Sequence, residues 1–398
     1  MDSEAPRGYR DETLVTLLGR DPGRHAGSVS PPVERTSTRI FPTLEALEAA
    51  HGSGVLSEFL GSATPEWLEA AVAELEGPDA RVVASGTGMA SLAIVFLAVL
   101  DTGDHLLMPD SVFWPTRKIG DGLLQRLGIE VSYYDPMIGA DIGRVMRPNT
   151  RLVLTESPGS NTFEVQDVPA IAAAAHARGA LVAIDNSWAT PLYFKPLDHG
   201  VDFSVSAITK YIVGHSDVLM GTIATREAHI GRLRETANQL GNACAPDDVF
   251  LALRGLRTLA IRLKHHGDAA LRLAGWLDRR PEVRTVLHPA LPSCPGHEFW
   301  RRDFTGSTGL FAVVLEPLTR EELVGFLDGM KLFKLGYSWG GFESLVLPVH
   351  PARERTATAW PDDDGTVLRL NVGLEDPADL EDDLEAAFAR LAGLRRVA

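Results

Sequence analysis

Short, continuously aliphatic segments alternate with helical patterns between residues 61 and 255, and this alternation constrains the fold more than any other feature. The clearest such segments are residues 81–84, 105–108, 151–155 and 180–184. Strands that are apolar without alternation are buried on both faces, which is typical of a parallel sheet covered by helices. We therefore predict an α/β fold with a large, mostly parallel sheet. Binding residues of such a sheet gather at the carboxyl ends of its strands.

The segments on either side of this region have different patterns. Residues 1–60 are rich in proline, arginine and serine, with one helical stretch at 43–51, as expected of an arm without a core of its own that packs on another subunit. After residue 255 we predict a smaller α+β domain. Its helical patterns lie at 256–279 and 377–394, and its strand patterns lie at 309–315 and 367–372. The predicted units are the arm at 1–60, an α/β domain at 61–255 and an α+β domain at 256–398.

The composition is that of a globular protein large enough for more than one core, with 398 residues of which 45% are hydrophobic. The net charge of −15 opposes nucleic acid or an anionic membrane surface as the main partner. No apolar run reaches the roughly 20 residues that a membrane span requires. The cysteines, Cys244 and Cys294, form no CxxC motif, so we expect no disulfide framework, no metal site and a cytoplasmic location.

Lys210 and Asp185 are the strongest candidates for catalysis. Lys210 follows a strand-like segment at 201–205 through a turn of small residues, and Asp185 ends the aliphatic segment at 180–184. A lysine placed to form a Schiff base and an acid that can pair with a pyridinium nitrogen are what pyridoxal phosphate (PLP) needs. The alternatives are a solvated surface lysine and a carboxylate that caps a helix or joins a structural ion pair.

Three further features are candidates for holding this cofactor. The turn SGTGMAS at 85–91 contains Gly86, Gly88 and Met89 and leads into an apolar helix, whose N-terminus favours a phosphate. Phe113 follows the strand at 105–108, where its ring can stack on a pyridine ring. The hydroxyl of Thr209 can reach the phosphate. The alternatives are a glycine turn that binds nothing and a phenylalanine that packs in the core.

Arg369 lies among apolar residues in the strand pattern at 367–372. A buried arginine needs a carboxylate partner, and an amino-acid substrate supplies one. Tyr337, Ser338 and Trp339, in the run YSWGG, can flank the same carboxylate. The alternatives are an internal salt bridge and a tight turn.

Five stretches carry a family resemblance: DPMIGADI (135–142), ESPGS (156–160), TKYIVGHSD (209–217), GHEFW (296–300) and YSWGG (337–341). Over roughly residues 25–395 the chain resembles the Cys/Met-metabolism family of PLP enzymes of fold type I, and within it the bacterial cystathionine β-lyases most closely. The resemblance implies a homotetramer of two tight dimers, in which a neighbouring chain completes each active site.

The resemblance also implies a role for each candidate residue. Lys210 would be the Schiff-base lysine and Asp185 the pyridinium partner. The phosphate cradle would be formed by Gly86, Gly88, Met89 and Thr209. The substrate α-carboxylate would be held by Arg369 with Ser338, and its pocket would be shaped by Trp339.

The sequence departs from the family pattern in two places. The Tyr-Gly-Arg stretch that reaches across the dimer to the neighbour's phosphate is absent from residues 55–64, which hold neither tyrosine nor arginine. Losing such an arginine contact costs about 1.5–3 kcal/mol, and the candidates to replace it are Arg35, Arg39 and Lys118. Phe113 stands where the family has a stacking tyrosine, so a hydroxyl with a proton-transfer role is lost. These two departures suggest altered cofactor retention and a specialised substrate. The alternative is that they are neutral substitutions compensated elsewhere in the chain.

The predicted activity is that of a PLP-dependent carbon–sulfur β-lyase. Lys210 would remove the α-proton of cystathionine or a related cysteine S-conjugate, and thiol, pyruvate and ammonia would be released. γ-Elimination or γ-substitution on a homoserine-type substrate, or other specialised PLP chemistry on an amino acid, is one alternative. A non-catalytic homologue is the other, and the presence of Lys210, Asp185 and Arg369 together opposes it.

Overall fold

A computed structural model describes residues 8–52, 64–361 and 364–397. Its larger sheet has seven strands. In chain order they are β1 Arg81–Ser85, β2 His105–Pro109, β3 Glu130–Tyr134, β4 Thr150–Glu156, β5 Leu181–Asp185, β6 Phe203–Ser206 and β7 Gly221–Thr225.

This sheet is mostly parallel, as predicted. The strand order is β1-β7-β6-β5-β4-β2-β3. Strands β2 to β6 all pair in parallel, whereas β7 is antiparallel to both of its neighbours, β1 and β6. The carboxyl ends of β4, β5 and β6 therefore meet at one edge, which is where binding residues are expected.

Helices cover both faces of this sheet. In chain order, the helices up to residue 256 are α1 Asp11–Leu17, α2 Leu44–Gly52, α3 Thr64–Glu76, α4 Gly88–Val99, α5 Trp114–Lys118, α6 Val168–His176, α7 Thr190–Tyr193, α8 Glu227–Gln239 and α9 Pro246–Leu256. Helix α4 is apolar along most of its length because it packs on the sheet, and its Leu92, Val95 and Phe96 are fully buried.

The smaller sheet has five strands in the order β10-β11-β12-β9-β8. They are β8 Val283–Leu287, β9 Leu310–Leu315, β10 Lys334–Leu335, β11 Leu345–Val349 and β12 Thr366–Asn371. The helices of this region are α10 Leu259–Leu277, α11 His297–Asp303, α12 Arg320–Leu327, α13 Pro351–Glu354 and α14 Pro377–Val397. This mixture of helices with a mainly antiparallel sheet is the predicted α+β pattern.

The N-terminal segment contributes to the core of its own chain. Val15 and Leu18 are buried with Leu68 and Leu253, from α3 and α9. Helix α10 packs at its start on this cluster and at its end on the smaller sheet, so the predicted boundary at residue 256 falls just before a helix shared by both regions. The limits of the three predicted units remain predictions.

None of the helices formed by the described residues is long and apolar enough to cross a membrane. Nor do those residues contain a group of three or more His, Cys, Asp or Glu side chains able to hold a metal ion.

Candidate active site

A cavity of about 360 Å³ lies where the carboxyl ends of β4, β5 and β6 face strand β12. Its volume is in the range of small-molecule sites. Most of the predicted site residues line it, namely Gly88, Met89, Phe113, Asp185, Thr209, Lys210, Tyr337, Trp339 and Arg369. The fold thus brings together residues that lie up to 281 positions apart in the sequence.

Two predicted residues lie just outside this lining. The Gly86 N–H donates to Asn242 Oδ1 at 3.3 Å, so its amide is already bonded. Ser338 contacts the site through its hydroxyl, because Lys210 Nζ donates to Ser338 Oγ at 2.9 Å.

The Lys210 amine is held in an environment that disfavours its charge. Nζ lies 5.0 Å from the centre of the Trp339 ring. Burial and, to a smaller extent, the Arg369 charge lower the pKa of Lys210, Asp185 opposes them, and the net value is about 8. Such an amine is neutral in a larger fraction of molecules than an ordinary lysine, which makes it a better nucleophile and base.

Two carboxyl groups end neighbouring strands beside this amine. Asp185 and Glu156 are register partners on β5 and β4. Burial raises the pKa of both, and the Asp185 charge raises that of Glu156 further. The N–H of Ser187 donates to Asp185 Oδ1 at 3.0 Å, and Ser187 lowers the pKa of Asp185 against the effect of burial. A cationic N–H inside the cavity is the ligand that would favour an ionised Asp185.

The turn before α4 is tightly packed. Thr87 caps the helix by accepting the Ala90 N–H at 2.9 Å. The N–H groups of Gly88 and Met89 come earlier in the first turn, where no carbonyl within the helix can accept them. A Cβ on Gly88 would lie 2.6 Å from Ala207 Cβ, so the close approach to the chain after β6 requires glycine. Asn242 fixes this turn from outside, donating to the Ala84 carbonyl at 2.9 Å.

Thr209 and Phe113 both line the cavity, and they differ in how free their side chains are to contact a ligand. The Thr209 hydroxyl donates to the Met220 carbonyl at 3.1 Å and accepts the Met220 N–H at 2.9 Å, so it is engaged by the backbone. Phe113 is anchored by its own N–H, which donates to Glu156 Oε2 at 2.9 Å. Its ring is partly exposed in the cavity.

Arg369 enters the cavity from β12 and is buried. Its Nη2 donates to the carbonyls of Tyr337, at 2.5 Å, and Ser338, at 3.4 Å. Burial lowers its pKa to about 10, and Glu354 acts in the opposite direction. Within the described chain its hydrogen bonds go to carbonyls, so a substrate carboxylate fits the remaining donors of the guanidinium.

The three candidates for a replacement phosphate cation lie outside the cavity lining. Arg35 pairs with Asp247, and Arg39 lies 3.2 Å from Glu34. Lys118 Nζ lies 5.7 Å from the centre of the Trp114 ring. The departure at residues 55–64 lies outside the described residues except for Thr64.

Several lining residues were not identified from the sequence, among them Thr87, Glu156, Asn161, Ser187, Trp188 and Leu219. Ser187 accepts the Ala207 N–H at 2.7 Å and so ties the turn that carries Lys210 to the end of β5. Glu156 is the first residue of the ESPGS stretch, so the family resemblance already pointed to this position. Asn161 lies just after that stretch.

These residues fit PLP. The lysine has a lowered pKa, the carboxyl groups suit a cationic ring nitrogen, and an aromatic ring lines the same cavity. The start of α4 and its glycine turn suit the phosphate, while the described lining provides two cationic side chains, Lys210 and Arg369.

The sequence profile of the Cys/Met metabolism PLP-dependent enzymes matches residues 12–389. A relative from Rhizobium johnstonii, named a putative cystathionine beta-lyase, is 48% identical, and the match covers 95% of each chain. Cystathionine beta-lyase MetC from Escherichia coli is 43% identical over 96% of this chain and 98% of its own. The crystal structure of MetB from Corynebacterium glutamicum has a TM-score of 0.87 at 30% identity, covering 97% of this chain and 99% of its own.

The chain therefore belongs to the Cys/Met metabolism family of PLP-dependent enzymes. The predicted family and the fold type I architecture, with its large parallel sheet and smaller domain, are confirmed. The predicted PLP cofactor is that of the family. The individual roles of the site residues remain predictions.

Proposed function

We propose that this enzyme is a carbon–sulfur β-lyase that acts on cystathionine or a related cysteine S-conjugate. The observation that carries the proposal is the Lys210 amine, which lines one cavity together with Asp185 and Arg369, both close enough for their charges to shift its pKa. The names of the relatives at 43–48% identity support the same reaction.

Lys210 would hold PLP through its amine, and the bound cofactor would supply an electron sink that makes the substrate Cα–H acidic. Once the substrate amine replaces Lys210 on the cofactor, the lysine amine would be free to act as the base. Arg369, with the Ser338 hydroxyl, holds the α-carboxylate and so orients the Cα–H bond toward Lys210. Lys210 Nζ takes that proton, and its lowered pKa suits this task near neutral pH. The Cβ–S bond then breaks with its electron pair going to sulfur, which takes up a proton and leaves as the thiol, and water hydrolyses the remaining fragment to pyruvate and ammonia.

The phosphate would be held by the start of α4, with Gly88 and Met89 in contact and Gly86 in the adjoining turn. Asp185 would pair with the ring nitrogen, and Phe113 would stack on the ring. Trp339 and Tyr337 would shape the substrate side of the cavity. We further propose that the enzyme is cytoplasmic and forms a homotetramer of two dimers. The apolar side chains exposed at the cavity rim support a neighbour that completes each site.

The test uses the purified enzyme with PLP and L-cystathionine. β-Elimination yields pyruvate and homocysteine, and this is the expected result. γ-Elimination would yield 2-oxobutyrate and cysteine and would overturn the proposal, as would a visible cofactor band that gives neither product. Lys210→Ala is the control, and it should lower product release by about 10³-fold or more.

A further inference from the structure

Arg262, in helix α10, is a buried arginine to which the proposed reaction gives no part. It is only 6% exposed, and it lies outside the lining of the cavity. Its Nη1 donates to the Tyr211 carbonyl at 2.6 Å, and its Nη2 donates to the carbonyls of Ile212 and Gly255 at 3.1 and 2.8 Å. Its Nε donates to Thr258 Oγ1 at 3.0 Å. These hydrogen bonds of the guanidinium all end on neutral oxygen atoms.

This guanidinium is charged although no carboxylate balances it within the part of the chain that the structure describes. Burial is the one cause that lowers the pKa of Arg262, to about 10, so the side chain keeps its proton at neutral pH. Burying a charge without an opposite charge is unfavourable, and hydrogen bonds from the planar fork are what offsets this effect here. The guanidinium and the carbonyl oxygens that it contacts therefore fix each other in place.

Two of those carbonyls belong to the turn that carries Lys210. They are the carbonyls of the two residues that directly follow it, and the Gly214 N–H donates back to the Lys210 carbonyl at 2.8 Å. The packing is close, because a Cβ on Gly214 would overlap the guanidinium of Arg262. Buried carbonyl oxygens that lose their donor are unfavourable, so removing this guanidinium would free the turn to shift.

The same face of α10 holds the strand that carries Arg369 through a different side chain. His266 lies one helical turn after Arg262 and is fully buried. Burial lowers the pKa of His266 to about 4, so its ring is neutral, and Nδ1–H donates to the Val372 carbonyl at 2.8 Å. Val372 lies just after β12, three residues beyond Arg369. The carboxylate-binding arginine is therefore anchored independently of Arg262.

We propose that Arg262 is a positioning residue, which directs the Lys210 amine toward the cofactor and the substrate Cα by holding the turn behind it. This inference rests on the proposed role of Lys210 and adds a residue on which that role depends. The charged groups that act on the amine, Asp185 of β5 and Arg369 of β12, stay in place without Arg262. A looser turn would let water reach the amine, so the pKa of Lys210 would rise toward its ordinary value.

The test uses Arg262→Lys, which keeps the charge and loses the planar fork. The first measurement is the rate at which the cofactor-free protein takes up PLP at different pH values, followed by stopped-flow absorbance. The pH of half-maximal rate should lie near 8 in the wild type and rise by about one unit or more in the variant. Arg262→Gln, which removes the charge and keeps a donor, is a second variant that should shift it in the same direction.

The second measurement is pyruvate release from L-cystathionine by the holoenzyme saturated with PLP. In both Arg262 variants kcat should fall about tenfold or more, because the amine is misplaced relative to the substrate Cα–H. KM should change by less than about threefold, because Arg369 has its own anchor. A change in kcat without a matching change in KM distinguishes a displaced base from a damaged substrate pocket.

Arg257→Lys is the matched control. Arg257 also donates to backbone carbonyls, but these belong to Val15, Leu18 and Gly19, around the end of α1. Urea unfolding should therefore show a lower free energy of unfolding for Arg257→Lys, as for Arg262→Lys. Its pH of half-maximal PLP uptake and its kcat should equal those of the wild type.

The outcomes separate this inference from the proposed function. If the visible cofactor band of the wild type also forms in Lys210→Ala, the role of Lys210 fails, and the proposed function fails with it. If that band depends on Lys210 but Arg262→Lys keeps the wild-type pH of half-maximal uptake and kcat, the positioning role is wrong. It is also wrong if KM alone rises, or if Arg257→Lys shifts the uptake profile equally, because the effect would then be on substrate binding or on stability in general.

Discussion

The reactivity of Lys210 follows from where its amine lies. Burial and Arg369 outweigh the attraction of Asp185, so the pKa falls from 10.5 to about 8. The folded chain therefore binds fewer protons than the unfolded chain between these two values. The contribution of Lys210 to the free energy of unfolding therefore rises as the pH increases from about 8 to 10.5.

The same shift predicts how the cofactor-free protein takes up PLP. Only the neutral amine can attack the aldehyde, so the rate of attachment should rise with pH and reach half its maximum near pH 8. Stopped-flow absorbance of the visible cofactor band measures this rate. A midpoint near the ordinary lysine value would contradict the predicted effect of burial.

Phe113 offers a second test at the residue scale. Its ring is partly exposed in the cavity and its backbone is fixed by Glu156, so a hydroxyl can be added without moving the chain. We expect Phe113→Tyr to raise the rate of thiol release by up to about tenfold, because it restores a proton donor. The visible cofactor band should persist, and a rate of thiol release no higher than that of the wild type would contradict this role for the hydroxyl.

Some site residues could be predicted from the sequence because they lie at or near the end of a recognisable strand pattern. Asp185 ends a strand pattern, and Lys210 and Gly88 each follow one after a short turn, so the carboxyl-edge rule placed them in one site. Glu156 faces the cavity because β4 pairs in register with β5, and Asn242 fixes a turn 156 residues away. Pairing and packing between distant segments leave no local pattern, so these residues emerged only from the fold.

At the element scale, the turn before α4 depends on glycine. A Cβ on Gly88 would lie 2.6 Å from Ala207 Cβ and 3.0 Å from its Cα. We expect Gly88→Ala to lower the free energy of unfolding by about 1–3 kcal/mol through overpacking, and to weaken PLP retention. Urea unfolding and equilibrium dialysis of the cofactor measure the two effects.

Gly231 is the matched control for that substitution. It lies inside α8, where a Cβ would meet nothing within 4 Å. Gly231→Ala should therefore raise the free energy of unfolding by about 0.5–1 kcal/mol and leave cofactor retention intact. Equal stability changes in the two variants would mean that the approach of Gly88 to Ala207 does not constrain this turn.

The predicted helices and strands agree with the structure where the apolar pattern is long. The prediction fails where pairing with a distant segment determines whether a strand forms. The aliphatic segments became β1, β2, β4 and β5 with shifts of about one residue at their ends. Strand β3 was not identified, because it is an edge strand that is only partly buried and reads Glu-Val-Ser-Tyr-Tyr. The helix predicted at 256–279 begins at Leu259, since α9 ends at Leu256 and a short break separates the two.

At the scale of the whole molecule, the site lies between two sheets that are joined by buried polar contacts. Asp110 and Glu164 of the larger domain hold the loop of the smaller one through Arg355 and the backbone of residues 356–358. Arg369 and Lys210 therefore face each other across a fixed junction. The rim of the cavity remains apolar and exposed at Phe113 and Leu219, which both line it.

That apolar rim predicts where a neighbouring chain docks. Leu219 is 66% exposed although it lines the cavity, and burying it against a second copy would be favourable. Leu219→Glu would place a charge in the contact, so we expect smaller species in sedimentation velocity and a matching loss of pyruvate release. Leu335→Glu is the control, because Leu335 is similarly exposed (57%) but lies on β10, outside the lining. A Leu219→Glu protein that sediments like the wild type would show that the interface lies elsewhere.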